Sequence, residues 1–233
     1  MLERVVTFSR DFTVSCPITV VLPRAYEPER AWPLVMALHG MGESDEIMQR
    51  YLEPLLEHPW IWCFPRGPYA HEVRKPESRR LGYAWYLFDG DQPRLRESMD
   101  ATATHLLAIH DRMRMQYPIS ASALVGFSQG GYLAGAIGPN HPQRFKAAGC
   151  IAGRLKWEFM DTAPPEAHQA VSIAQFHGAL DENVSLALAT EAVERTRALG
   201  FKDVRLLTEP DAGHRPTRPM IRSVGQWLEE VFA

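Results

Sequence analysis

Six stretches of the chain are predominantly apolar, the first two without a break, as expected of strands buried on both faces. They are Leu34-Val35-Met36-Ala37-Leu38, Trp60-Ile61-Trp62-Cys63-Phe64-Pro65, and the segments at 124–126, 147–151, 171–176 and 204–207. Helical periodicity falls between or after them, at 45–57, 96–116, 129–138, 184–199 and 217–232. Strand alternating with helix at this rhythm predicts a mostly parallel central sheet with helices on both faces, and such sheets bind ligands beyond the carboxyl ends of their strands. Two β-branched runs near the start, at 4–8 and 18–22, are separated by a polar turn and predict an antiparallel pair at the sheet edge.

Residues 66–92 break the rhythm. This long connection carries Tyr69, Tyr83, Trp85, Tyr86 and Phe88, with basic residues at Arg74, Lys75, Arg79 and Arg80. Connections of this length in a compact domain are often functional. The alternative is that Tyr83 to Phe88 pack on the core while the basic residues form a solvated face.

At 233 residues the chain fits one α/β domain spanning 1–233, and we find no repeat or linker that would divide it. A net charge of -3 lacks the basic excess of a nucleic-acid binder. The start, Met1-Leu2-Glu3-Arg4-Val5-Val6, lacks the features of a signal peptide, and no stretch reaches the length of a membrane span, so a cytoplasmic location is expected. Cys16, Cys63 and Cys150 are widely spaced, and Cys63 and Cys150 lie in apolar runs, which predicts neither a disulfide nor a metal site.

One turn carries the chemistry. In Leu124-Val125-Gly126-Phe127-Ser128-Gln129-Gly130-Gly131 an apolar run stops at a serine between glycines and helix-forming residues follow. The G-x-S-x-G spacing suits a strand, a sharp turn and a helix, because the glycines remove Cβ atoms that would collide there. Ser128 would stand at the tip, in front of the free N–H groups that open the helix.

A serine hydroxyl needs a base, and the base needs a third group to hold its tautomer. Of the nine histidines, His214 in Asp211-Ala212-Gly213-His214 follows the last strand in a glycine-marked turn at the same sheet edge. Asp181 follows the strand at 171–176 and is the candidate acid. It could instead cap the helix beginning near Val184, and Glu182 is a rival carboxylate beside it. The order serine, acid, histidine is that of the α/β-hydrolase topology. His39-Gly40-Met41-Gly42 follows an early strand, where that fold takes a second oxyanion donor; the Met41 and Gln129 N–H groups are therefore assigned to an oxyanion hole. His39 is expected to tie this loop down through its ring nitrogens.

These residues together resemble the phospholipase/carboxylesterase family of serine α/β hydrolases, which includes acyl-protein thioesterases and small bacterial carboxylesterases. The similarity runs from about Pro33 to the end of the chain. His39-Gly40-Met41-Gly42-Glu43 resembles the family's HGxGD, and Gly126-Phe127-Ser128-Gln129-Gly130-Gly131 matches GFSQGG. His177-Gly178 with Asp181 and Val184, and Gly213-His214, supply the remaining motifs. Trp85 to Asp89 is loosely similar to the family's W-F-D stretch.

The resemblance implies a cofactor-free serine ester hydrolase with no large cap domain, in which Ser128 is the nucleophile, Asp181 the acid and His214 the base. Tyr83, Trp85, Phe88 and Leu155 are the candidate substrate walls. Three departures stand out: Glu43 for aspartate, Ser185 for proline, and Ala152-Gly153-Arg154-Leu155-Lys156 in place of S-G-x-L-P. They bear on acyl preference and leave the chemistry alone. The expected substrates are small to medium acyl esters. A thioesterase or lysophospholipase would use the same residues, and a ligand-binding protein without turnover is the reading from another class. The resemblance leaves a monomer and a homodimer equally open.

Overall fold

A computed structural model describes residues 14–233. A seven-stranded sheet runs in the order β1-β3-β2-β6-β7-β8-β9. Its strands are β1 (Ile18–Val21), β2 (Trp32–Leu38), β3 (Ile61–Pro65), β6 (Ile119–Phe127), β7 (Ala147–Ile151), β8 (Ser172–Gly178) and β9 (Val204–Glu209). Only β1, against β3, pairs antiparallel; every other neighbour in this sheet is parallel. The expected partner of β1 at 4–8 lies outside the described residues.

The apolar runs divide between two layers with the period of two that a strand imposes. Val35, Ala37, Ala123, Val125, Ala174 and Phe176 pack against α1 (Asp45–Tyr51) and α6 (Arg218–Phe232) through Met48, Ile221, Val224 and Trp227. Their sequence neighbours Leu34, Met36, Leu38 and Leu124 face the other way. There they meet α2 (Gln92–Gln116) and α3 (Gln129–Asn140) through Leu106, Ile109, Leu133 and Ile137. On that second face Ala148 and Ile173 meet Ala192 and Val193 of α5 (Leu186–Ala198). A short helix, α4 (Ala167–Ala170), leads into β8. This is the α/β-hydrolase fold, and no cap domain occurs among the described residues. No helix of those residues is long and apolar enough to cross a membrane.

Two departures from the expected elements matter for the site. The helix expected over 45–57 stops at Tyr51 and resumes as a single 3₁₀ turn at Glu53–Leu55, because Pro54 cannot continue an α-helix. The 66–92 connection contains an antiparallel hairpin, β4 (Tyr69–Lys75) and β5 (Ser78–Ala84), separate from the main sheet. Its root returns to the loop after β2 through a bridge between Glu43 and Tyr83.

The chain leaves β2 for β3 on one side and returns through β6 to build β7, β8 and β9 on the other. The strand order therefore reverses between β2 and β6, and the loops after these two strands open side by side at the switch point.

Candidate active site

Ser128 joins β6 to α3 with φ 50° and ψ -114°, a left-handed backbone that only a tightly packed turn holds in a non-glycine residue. The packing is visible at the glycines. A Cβ on Gly126 would lie 2.2 Å from the carbonyl carbon and oxygen of Gly130, and one on Gly130 would lie 2.5 Å from the Leu38 oxygen. Strand and helix cross at backbone contact, and the start of α3 presses on the end of β2. Ser128 N–H donates to the Ile151 carbonyl at 2.8 Å, which ties the turn to β7.

Three side chains from three loops converge there. Ser128 Oγ lies 2.9 Å from His214 Nε2, and His214 Nδ1 lies 2.8 Å from Asp181 Oδ2. A carboxylate only accepts, so Nδ1 carries the imidazole proton and Nε2 is left to accept from the serine hydroxyl. Phe127 packs beside the imidazole with ring centroids 5.3 Å apart.

Asp181 is buried, and its two oxygens divide their work. Oδ1 accepts from Asn183 N–H and Val184 N–H at 2.9 Å each, while Oδ2 faces His214. Asp181 therefore braces the turn that precedes α5 and does not cap that helix, a role the sequence left open to it; Ser185 is the N-cap. Glu182 is exposed. Beneath Asp181, Gln175 Nε2 donates to the Gly153 carbonyl at 2.7 Å and to His177 Nδ1 at 3.1 Å, so His177 Nε2–H donates to the Val184 carbonyl at 2.8 Å. That buried chain fixes the turn carrying Asp181. Sequence reasoning missed Gln175, which a polar residue inside an apolar strand could have signalled.

The second loop is His39 to Ser44. Neither the Met41 N–H nor the Gln129 N–H has an acceptor among the described residues. Two features of this loop were not legible in the sequence. Glu43 Oε2 accepts from Gly40 N–H at 3.1 Å, and Glu43 Oε1 accepts from the Tyr51 hydroxyl at 2.6 Å. Burial pushes the Glu43 carboxyl above its usual range, against those hydrogen bonds. The hairpin root also clasps the loop from outside: Gly42 N–H donates to Tyr83 O and Tyr83 N–H to Glu43 O, both at 2.9 Å. Arg80 Nη1 donates to Gly42 O at 2.6 Å.

A model of the phospholipase/carboxylesterase family matches residues 25–232. The chain belongs to the phospholipase/carboxylesterase family. Solved structures similar to it include esterase PE8, at 23% identity and a TM-score of 0.74, covering 94% of this chain and 100% of that one. An acyl-protein thioesterase 2 of Zea mays aligns at 20% identity and a TM-score of 0.72, covering 93% and 99%. A Bacillus cereus carboxylesterase aligns at 15% and 0.72, covering 93% and 94%. At these identities the structures speak for the fold. No curated protein matches the chain.

Of the residues expected to form substrate walls, two are displaced from that role by burial. Trp85 is fully buried: its indole N–H donates to the His39 carbonyl at 2.8 Å and its ring lies 4.8 Å from the imidazole of His39. A buried indole needs an acceptor, and this one finds it at the start of the loop that follows β2. Leu155 is also fully buried and fills space beside Gly135 of α3. Tyr83 is half-buried with the Arg66 guanidinium 4.8 Å over its ring, and Phe88 stands exposed before α2. The Gln129 side chain ties the start of α3 to the excursion, accepting from Trp85 N–H at 2.8 Å and donating to Tyr86 O at 2.9 Å.

Cys63 and Cys150 are buried and burial pushes both thiols up to about 12, which leaves them protonated at neutral pH. A concavity of about 530 Å³ between the 3₁₀ turn and α6 contains none of the triad.

Proposed function

We propose that this member of the family is a serine carboxylic-ester hydrolase acting on small to medium acyl esters. The observation that carries the reading is the unbroken line of hydrogen bonds from Ser128 Oγ through His214 to Asp181, 2.9 Å and 2.8 Å long, ending on a serine held in a strained turn.

In this mechanism Ser128 Oγ attacks the acyl carbonyl carbon as its proton passes to His214 Nε2. Asp181 Oδ2 stabilises the imidazolium that forms. The carbonyl oxygen becomes an oxyanion facing the N–H groups of Met41 and Gln129, each donor of this kind contributing about 2.7–4 kcal/mol to the transition state. His214 returns the proton to the departing oxygen, leaving an acyl-enzyme on Ser128. Water activated by the same histidine then clears it through a second tetrahedral intermediate. These steps need no metal or organic cofactor.

The test is kcat/KM over p-nitrophenyl esters from acetate to palmitate, with Ser128→Ala as the blank and an acyl thioester alongside. A maximum at short to medium chains, lost in Ser128→Ala, is expected. A clear preference for the thioester would shift the reading to a thioesterase. Wild-type rates equal to the blank on every substrate would overturn catalysis altogether and favour a binding protein.

A further inference from the structure

The carbonyl of Gly40 and the N–H of Met41 are two ends of one peptide unit. A trans peptide is planar and its C=O and N–H point in opposite directions, so whatever fixes the Gly40 oxygen also aims the Met41 hydrogen. Two donors fix it. His39 Nδ1 lies 2.8 Å from the Gly40 oxygen, and Glu43 N–H donates to the same atom at 3.2 Å.

The proton on His39 is not free to move to the other nitrogen. Gly67 N–H donates to Nε2 at 3.0 Å, which occupies that lone pair and leaves the single imidazole proton on Nδ1. The ring is fully buried and packs at a tilt of 31° against Trp85, whose indole holds the carbonyl of His39 itself. Burial also pushes the His39 pKa down to about 4, which keeps the ring neutral and this tautomer in place at neutral pH.

Gly67 and Trp85 belong to the two arms of the 66–92 excursion. The arms close on each other around the imidazole: a Cβ on Gly67 would lie 2.6 Å from the Ala84 oxygen and 3.3 Å from His39 Cε1. The hairpin is anchored on both sides of the loop, at His39 and at Gly42 and Glu43.

We propose that His39 is a positioning residue which, by donating from Nδ1 to the Gly40 oxygen, holds the Gly40–Met41 peptide with the Met41 N–H turned toward the reacting carbonyl, and that the 66–92 excursion is its scaffold. The inference rests on the hydrolase reading above. If that peptide flips, a carbonyl oxygen replaces the donor and repels the developing oxyanion.

Two substitutions separate the ends of the imidazole. His39→Asn keeps a donor near the position of Nδ1 and loses the acceptor for Gly67. His39→Gln keeps an acceptor near Nε2 and loses the donor to Gly40. With p-nitrophenyl butyrate, H39Q should lose about 10²–10³-fold in kcat, the loss typical of one oxyanion donor, with KM within about threefold of wild type. H39N should stay within about tenfold of wild type, although each variant loses one hydrogen bond and both melt at lower temperature. Equal activity of the two variants, or losses that simply follow melting temperature, would overturn the proposal. H39N is also decisive alone, since a loss beyond about 100-fold in folded protein contradicts it.

A crystal structure of H39Q supplies a readout independent of turnover. A rotated Gly40–Met41 peptide is expected, and an unrotated one refutes the role of His39 whatever the substrate. An inactive wild type would instead count against the hydrolase reading.

Discussion

The Trp85 indole N–H donates to the His39 carbonyl at 2.8 Å, across 46 residues of sequence, while its ring lies against the imidazole of the same residue. An aromatic from the long excursion therefore supports the loop that carries Met41.

Trp85→Phe keeps an aromatic ring and removes the donor, so a buried carbonyl loses its partner. The expected cost is about 1–3 kcal/mol, the penalty of an unsatisfied buried polar group. Urea denaturation of the two proteins measures it. No change in midpoint would mean that the His39 carbonyl finds another donor.

Asp181→Asn should separate catalysis from folding. The asparagine Oδ1 can still accept from Asn183 and Val184 N–H, but its amide nitrogen presents hydrogens to His214 Nδ1 and selects the wrong tautomer. A loss of about 10⁴-fold in kcat with a nearly unchanged melting temperature is expected. Activity within tenfold of wild type would remove Asp181 from the mechanism.

Two glycines distinguish collision from backbone strain. Gly126→Ala forces a Cβ to 2.2 Å from main-chain atoms that cannot swing away, and should cost about 3 kcal/mol or more, or prevent soluble expression. Gly90 has φ 98° and open space for 4 Å around the place a methyl would take, so Gly90→Ala should cost only about 1–2 kcal/mol of backbone strain. Calorimetry of both variants checks the ranking.

Acid should destabilise the fold through buried histidines. The folded pKa of His39 lies near 4 and the ordinary value is 6.5; His110, buried beside Ser122, behaves alike. Between these values the unfolded chain takes up protons that the folded chain refuses. Stability fully present above about pH 6.5 is therefore lost as pH falls toward 4, by as much as about 3 kcal/mol for His39. Unfolding free energies measured from pH 7.5 down to 4.5 should fall across that window. A flat or rising profile would contradict the buried neutral imidazoles.

The double-faced strands were legible because apolar runs such as 34–38 leave a buried strand few alternatives, and the glycines around Ser128 announce a backbone crossing by their lack of side chains. The hairpin was not legible. Its strands, Tyr-Ala-His-Glu-Val-Arg-Lys and Ser-Arg-Arg-Leu-Gly-Tyr-Ala, are mostly exposed on a ribbon outside the sheet, so no apolar alternation marks them. The earlier start of α2 was available in Asp91, whose side chain accepts from Arg94 N–H ahead of a proline in the first turn. Trp85 and Leu155 show a different limit. Both are large and apolar and lie in connections that follow strands, but the direction of each side chain depends on packing partners distant in sequence. Glu43 reads as a minor replacement of aspartate until Tyr51 and Gly40 are seen to share its two oxygens.

The most direct test of the account is labelling with a fluorophosphonate followed by peptide mapping, because the reagent reacts only with an activated serine. Stoichiometric modification of Ser128, abolished in Ser128→Ala and greatly slowed in His214→Ala, is the predicted result. An unlabelled wild-type protein, or a label on any other residue, would contradict it.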